Sequence, residues 1–466
     1  MNKLFSGNIF CYVRPWNVDQ FTYLGEKIAP DAKVVRVSEH LKVDEGLLVY
    51  NYYKNLKRVP RGGASYVGFD VDEQVDVILR CRLLRRLPRD VANRHLAAMF
   101  ESISTAFDKY NPSLVLSLTV DSYVIDLLRI VSRLRGVPFV GFIGTFVNGY
   151  YRVSARGERT KGSDANVLAV EELRNKLLGY NYTPSFNKKS ISHPRYSLLR
   201  RWAANLARVP YFFAKRLVSG DYYNYHYWVS QLISADHFHF VPPSDPGRSD
   251  WEQALERSNL PTLYIPLQMF PECTVDYWCG DIGVINYYDT LFEVIGRLSV
   301  KFSIVIKEHP SVFGSRPAWF YKKLKSNGAV IVAPTYTASN TLVEKVDAVL
   351  VWTGSVGFEA LLRGKAVFGL ARPFYASGPR FFPIDVNPSL NDMLDKIDFC
   401  KRNPVTEFEQ NELISFLLAQ LLRGDFINDG SWSIESSEHR KKIEDIAASF
   451  CVAFKGDVLG SHRRSA

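Results

Sequence analysis

The chain has 466 residues, 47% of them hydrophobic and 23% charged, with a net charge of +10. That length suggests two large domains or about three ordinary ones, and the composition excludes a disordered or fibrous chain. No uncharged apolar run approaches the roughly 18 residues of a bilayer span, Met1 to Trp16 lack the apolar stretch of a secretory leader, and six cysteines without a CxxC pair make neither a disulfide framework nor a zinc site. A reducing cytoplasm is the expected compartment.

The first half opens with expected strands at Ile9–Val13 and Lys33–Val37. A helix is predicted from Arg89 to Lys109, with Leu96, Met99, Phe100, Ile103 and Phe107 on one face, and Asn111-Pro112 stops it. Leu114–Leu118 reads as a strand. Asp121 or Ser122 can cap the helix that follows, which carries Val124, Leu127, Leu128, Val131 and Leu134 and ends at Gly136. Phe139–Ile143 is the next strand. Strand, capped helix and strand within about 30 residues make a βαβ unit and therefore a parallel sheet.

From Tyr151 to about Arg257 the pattern is irregular, aromatic and basic, as in an insertion. No acidic residue lies between Leu173 and Gly220, while Arg174, Lys176, Lys188, Lys189, Arg195, Arg200, Arg201, Arg208, Lys215 and Arg216 do. Those residues equal the whole net charge of +10, so the remainder balances. Leu198, Leu199, Trp202, Leu206 and Val209 recur at helical spacing, with Pro210 expected to end the helix. A basic amphipathic helix followed by Tyr211, Phe212 and Phe213 could lie on an anionic membrane surface through Arg195–Arg216, or pack as a solvated helix on its parent domain. No nucleic-acid-binding motif accompanies the charge, so nucleic acid is not an expected partner. His237 and His239 lack a second ligand pair and read as structural.

The second half alternates more cleanly. Strands are expected at Leu263–Ile265, Phe302–Ile306, Ala329–Val332, Ala348–Val351 and Ala366–Leu370. Helical segments fall at Tyr288–Leu298, Trp319–Lys325, Leu342–Lys345, Val356–Arg363 and Leu390–Phe399. Such alternation is a doubly wound sheet, in which ligands bind beyond the carboxyl ends of the strands. The division expected is 1–257 for a first Rossmann-like domain with its insertion around 151–250, 258–415 for a second, and 416–466 for a helical segment with a loose tail.

Candidate chemistry therefore sits at strand ends. Lys307-Glu308-His309-Pro310 leaves the strand Phe302–Ile306, placing a point charge and a directional donor where an anion could sit. Trp352-Thr353-Gly354-Ser355-Val356-Gly357-Phe358-Glu359 leaves Ala348–Val351. There Gly354 and Gly357 could let amides approach a phosphate, Thr353 and Ser355 add hydroxyls, and Glu359 could accept from ribose hydroxyls or merely favour the helix dipole. Gln268, in the segment Pro266 to Trp278, can bond a sugar hydroxyl. Glu272 or Asp276 could supply a carboxylate beside an oxocarbenium-like centre, or serve as a loop charge or cap. Asp70 and Asp72, the one DxD-type pair, follow no obvious strand, and no metal is required.

In order and spacing, Pro266-Leu267-Gln268, Pro271-Glu272, Thr274, Lys307-Glu308-His309-Pro310, the run Thr353 to Lys365 and Arg372-Pro373-Phe374-Tyr375 resemble the capsule polysaccharide biosynthesis proteins. That group includes bacterial β-Kdo glycosyltransferases. The resemblance is strongest over Leu263–Tyr375 and does not include the basic segment. It implies a GT-B arrangement, two Rossmann-like domains facing across a cleft, with no cofactor beyond a nucleotide-sugar donor, CMP-Kdo in the characterised branch. It also implies a glycan or glycolipid acceptor and a place on the cytoplasmic side of the membrane. His309 matches the family's donor-phosphate histidine, Ser355 and Glu359 its serine and glutamate at phosphate and nucleoside, and Gln268 its glutamine. Lys307, Thr353, Gly354 and Gly357 complete the expected donor site. The acid four positions after Gln268 is often Asp in the Kdo branch and is Glu272 here, which leaves donor sugar and catalytic acid open. Asp121, at the end of its strand, is the first-half acid to test. A CDP-glycerol-dependent glycerophosphotransferase, a sugar-nucleotide 2-epimerase and a non-catalytic capsule-assembly or membrane-docking protein share parts of this pattern.

Overall fold

The computed structural model describes residues 5–60, 68–160, 162, 167–179, 182, 184, 194–219, 244–270, 272–314, 316–426 and 432–455. The chain divides into two compact units, Met1–Ala165 with Leu418–Ala466, and Asn166–Leu417.

In the first unit the central strands are β1 (Gly7–Tyr12), β2 (Ala32–Ser38), β3 (Glu45–Gly46), β4 (Pro112–Leu118) and β5 (Phe139–Gly144), all paired in parallel in the order β5-β4-β1-β2-β3. Two short strands, β6 (Tyr150–Val153) and β13 (Leu422–Arg423), extend the β5 side antiparallel. The expected helix is present at Arg89–Tyr110. Asn111 ends it in the left-handed conformation, φ 44°, and Pro112 starts β4. The helix Tyr123–Leu134 follows β4, and Gly136 turns the chain at φ +65°. The strand order reverses direction between β1 and β4, which makes that edge the switch point of the sheet.

The Asp70/Asp72 pair is a helix cap. The Asp70 carboxylate accepts from the amides of Asp72 (2.8 Å) and Glu73 (3.3 Å) at the start of the helix Val71–Arg80. That helix joins Tyr123–Leu134 through ion pairs. Arg129 and Arg156 both contact Asp126, which is wholly buried, and Arg156 also reaches Asp76 at 2.6 Å. Burial would raise the Asp126 pKa, but the two guanidiniums hold it below its usual value.

In the second unit six strands are all parallel: β7 (Thr262–Pro266), β8 (Ser303–Lys307), β9 (Val330–Ala333), β10 (Ala348–Val351), β11 (Ala366–Gly369) and β12 (Phe381–Pro383). Their spatial order is β12-β11-β10-β7-β8-β9. The first strand of the unit therefore lies in the middle, with the switch point between β7 and β10. Leu263, Ile265, Ile304, Ile306 and Leu350 meet Leu291, Val294, Ile295 and Leu298 of the helix Tyr287–Leu298 in one core. Strand β12 was not anticipated; three residues, of which only Phe381 is buried, carry no legible period.

The units do not divide at residue 257. Residues before β7 pack on the second sheet: the Arg248 amide donates to the Val332 carbonyl (3.0 Å), and Asp245 accepts from the Thr335 amide and hydroxyl, covering the β9 edge. Arg174 of the helix Val167–Leu178 pairs with Asn411 and Glu407. Nor does the C-terminus form its own segment. Ile443, Ile446, Ala447 and Phe450 of the helix Ser437–Lys455 join Phe21, Leu24 and Phe142 in the first unit's core. Long-range packing, invisible to local periodicity, made both decisions.

The basic segment contains the helix Pro194–Ser219, which passes through Pro210 instead of ending there. Pro210 is exposed, so water can take the carbonyl that its missing N–H leaves without a donor. His237, His239 and the tail from Gly460 lie outside the described residues. Among the described residues no helix is long and apolar enough to cross a membrane, and no cluster of potential metal ligands occurs.

Replacing Asp126 by alanine removes the buried carboxylate shared by Arg129 and Arg156, and about 3 kcal/mol of stability should be lost in a denaturant titration. Because the folded carboxyl pKa is lowered, the stabilisation from Asp126 is complete above the ordinary carboxyl range and lost as pH falls through the folded value. The wild-type curve should therefore approach that of Asp126→Ala in acid.

Candidate functional site

Three strand exits meet at the second switch point. β7 delivers Leu267 and Gln268, β8 delivers Lys307 to Pro310, and β10 delivers Trp352 to Ser355. The β7 and β8 exits are stitched by the Leu267 amide, which donates to the Lys307 carbonyl at 3.0 Å. The β7 and β10 exits are joined by the buried Thr353 hydroxyl, which bonds the Thr274 carbonyl at 3.1 Å and reaches Gln268 Oε1 at 3.5 Å.

Beneath them lies an ion pair that the motifs did not announce. Arg316 and Glu308 are both fully buried. The guanidinium donates twice to the carboxylate, through Nε and through Nη2 at 2.8 Å, and Nη2 also donates to the Gln268 carbonyl at 2.6 Å. Tyr321 donates its hydroxyl to Glu308, and the His309 amide does so at 2.5 Å. The rings of Tyr287, Tyr288 and Phe320 surround the guanidinium at 5.2–5.9 Å. Burial alone would pull the Arg316 pKa down, but Glu308 drives it well above the ordinary value. Arg316 sits in the loop after β8, where nothing local marks it.

His309 is partly exposed. Its Nδ1 accepts from the Ser311 amide at 3.2 Å, which places the neutral ring's proton on Nε2. Lys307 is only 6% exposed. Burial lowers its pKa to about 8, against the charges of Glu308, Glu359 and Asp245. Glu359 is partly exposed, and desolvation raises its pKa against Arg363 and Lys307. The Lys307 and Glu359 side chains thus feel one another, which puts the β8 and β10 exits on one electrostatic surface.

Several expectations are corrected here. Gly357 is not open to a ligand: a Cβ there would strike the Tyr375 hydroxyl and lie 3.1 Å from Val351 Cγ2. A Cβ at Gly354 would lie 2.9 Å from Gln268 Nε2, and the Gly354 carbonyl accepts from Tyr375. Both glycines admit protein side chains, Tyr375 and Gln268. The helix Val356–Leu362 is two turns long and Ser355 forms no side-chain cap, so its dipole is small. Asp276 is 0% exposed, so its carboxylate is not presented to a sugar. Glu272 is partly exposed, and its Oε2 accepts from the Thr274 hydroxyl at 2.7 Å.

The first unit has its own polar group at its switch point. Asp121, after β4, accepts a two-pronged bond from Arg14, after β1, at 2.7 and 2.6 Å. Arg14 Nε reaches Tyr12, and Tyr12 donates to Glu39, which also pairs with His40 at 3.2 Å. Burial would raise the Glu39 pKa, but His40 and Arg14 bring it to about 2. Asp121 thus does not cap the following helix. Arg14 escaped notice although it is the first charged residue after its strand, the same signal used for Lys307.

These are the features of a doubly wound α/β protein with a polar, cation-bearing switch point. Residues 222–378 match the family described as capsule polysaccharide biosynthesis protein. That segment carries the candidate site. Among solved structures, a beta Kdo 2,7 transferase KpsC from Thermosulfurimonas dismutans is 13% identical, with 95% of this chain and 99% of that chain covered at a TM-score of 0.38. The beta Kdo 2,4 transferase KpsC of the same organism is 14% identical, with coverage of 65% and 88% at 0.30. A UDP-GlcNAc 2-epimerase from Methanocaldococcus jannaschii is 12% identical, with coverage of 88% and 98% at 0.27. At these TM-scores the likeness carries no argument about chemistry. No curated protein sequence matches the chain.

Gly357→Ala should lose about 1–3 kcal/mol through overpacking. In a Tyr375→Phe background, which removes the clashing hydroxyl, the additional loss should shrink; equal losses in the two backgrounds would refute the packing role.

Proposed function

We propose that the chain is a metal-independent glycosyltransferase of GT-B type acting in bacterial surface polysaccharide synthesis. It moves a sugar from a nucleotide-activated donor, CMP-Kdo or a close analogue, to a glycan or glycolipid acceptor. The convergence of Gln268, Lys307, His309, Thr353, Ser355 and Glu359 at one switch point, inside the family-matched segment, carries this reading. No cofactor enters the reaction. The working place is the cytoplasmic side of the membrane.

Cleavage of the donor leaves positive charge on the anomeric carbon and negative charge on the departing phosphate. His309, with its proton on Nε2, and the Ser355 hydroxyl donate to that phosphate, while Lys307 acts through its field from a buried position. Glu359 accepts from the ribose hydroxyls. The Gln268 side chain, braced by Thr353 and passing over Gly354, meets a sugar hydroxyl. Glu272 is the second unit's candidate acid on the sugar side. In the first unit Asp121, oriented by the fork of Arg14, is the candidate acid for activating a hydroxyl or stabilising the sugar cation.

A thermal-shift comparison of CMP, CDP, UDP and GDP tests the donor class. The preferred nucleotide at a hundredfold excess over Kd should stabilise the protein by about 2.7 kcal/mol. CDP preferred over CMP, with CMP released from CDP-glycerol, would favour the glycerophosphotransferase. His309→Ala should lower kcat about 10²–10³-fold; unchanged capsule function in that variant would mean a non-catalytic role.

Lys307 adds a pH signature. Its cation is present below about pH 8 and is lost above it, well before an ordinary lysine. Nucleotide affinity should therefore fall as pH rises through 8, and Lys307→Met should bind weakly with no inflection there. The same shift makes the burial of Lys307 destabilising below pH 8. That penalty is relieved as pH rises from 8 towards the unfolded value.

A further inference from the structure

The polar group at the first unit's switch point continues inward. Tyr12 closes β1, and Glu39 follows β2, its parallel neighbour. Both are buried. Tyr12 donates its hydroxyl to Glu39 Oε1, and the Tyr12 oxygen accepts from Arg14 Nε at 3.2 Å. The guanidinium carbon of Arg14 also lies 5.5 Å from the centre of the Tyr12 ring. From Arg14 the chain of contacts runs through both Nη atoms to Asp121, at 2.7 and 2.6 Å. The Arg14 backbone is pinned as well: its amide donates to Asn17 Oδ1 at 2.6 Å, and its carbonyl accepts from the Asn17 amide at 3.0 Å. Exposure rises outward along this chain, from 2% at Glu39 to 16% at the Arg14 side chain and 29% at Asp121. Asp121 is therefore the end that a ligand can reach.

A tyrosine hydroxyl has one proton and can turn it either way. Turned toward Arg14 it would oppose the Nε proton; turned toward Glu39 it leaves a lone pair for Nε. An ionised carboxylate decides the direction. Burial opposes that charge, but His40 and Arg14 bring the Glu39 pKa to about 2. The arrangement is poor for stability alone, because Glu39 Oε2 is buried and accepts no hydrogen bond among the described residues. We propose that Tyr12 and Glu39 are positioning residues for Asp121: Glu39 orients the Tyr12 hydroxyl, Tyr12 holds Arg14 Nε, and the Arg14 fork then presents the Asp121 carboxylate in one orientation to a substrate hydroxyl or sugar cation. This deepens the proposed function and rests on it for the role of Asp121. Glu39 also acts through charge. The titratable and charged groups that face it are Tyr12, Arg14 and His40, with Asp121 beyond the guanidinium. One cation thus serves two carboxylates.

The test uses the full chain with Tyr12→Phe and Glu39→Gln, both close to isosteric, and two readouts. The first is the rate of CMP release from CMP-Kdo across pH. Tyr12→Phe should lower kcat about tenfold with KM unchanged, the mark of a misplaced reacting group. Glu39→Gln keeps an acceptor for the Tyr12 hydroxyl and removes only the charge. The acid limb of its rate profile should therefore move to lower pH, by up to about one unit, because one negative charge fewer faces the Asp121 carboxylate. The second readout is solvent exchange of the Arg14 Nε proton by nuclear magnetic resonance, with the signal assigned through Arg14→Lys. Exchange should quicken about tenfold in Tyr12→Phe and stay near wild type in Glu39→Gln. A Tyr12→Phe variant that loses thermal stability but keeps the wild-type kcat, an Arg14 exchange rate indifferent to Tyr12→Phe, or an unmoved acid limb in Glu39→Gln would each overturn the positioning role. A wild-type chain that releases no CMP from CMP-Kdo would count against the donor reading, and exchange at Arg14 would then decide the relay by itself.

Discussion

The buried contact of Arg316 with Glu308 and the Gln268 carbonyl is the constraint on which the second unit's switch point depends. One guanidinium holds the exits of β7 and β8 together, and the same carboxylate receives the amide of His309. Such a pair is not a reservoir of stability, because desolvation opposes the Coulombic gain. Its value lies in geometry. With Tyr321 and the His309 amide also satisfying the carboxylate, the chain after β8 leaves the sheet in a defined direction. The ring of His309 then takes its tautomer from the Ser311 amide. The His309 imidazole thus has its proton and its position set by neighbours in its own loop and by the buried ion pair.

The two units solve the same topological problem with different charge. Each is a parallel sheet whose order reverses beside its first strand, and each places polar side chains at that reversal. In the second unit a buried lysine and a donor histidine make the exit suited to an anion. In the first unit the Asp121 carboxylate is neutralised in place by Arg14, with Glu39 and Tyr12 behind them. A carboxylate fixed by a fork can act on a hydroxyl without wandering, which a free surface acid cannot do.

Charge and fold are partitioned as well. Outside the acid-free stretch the acids and bases of the whole chain sum to zero, so that stretch equals the entire net charge.

Much of this was legible in the amino-acid order. The parallel strands from Ile9 to Phe142 and from Leu263 to Phe368, the helix Arg89–Tyr110 and the polar strand ends follow from apolar period, caps and turn residues, because those signals are local. The resemblance to the family that residues 222–378 match was legible for a similar reason: its motifs are short and lie at strand exits. What sequence alone could not supply was anything set by contacts between distant residues. That Gly354 and Gly357 make room for Gln268 and Tyr375 rather than for phosphate, that Asp276 is sealed, that Arg316 clamps Glu308, and that residues 418–466 return to the first sheet were decided only by tertiary packing. Burial and pairing depend on which segments meet in space, and no local pattern of side chains encodes the identity of a partner far away in the chain.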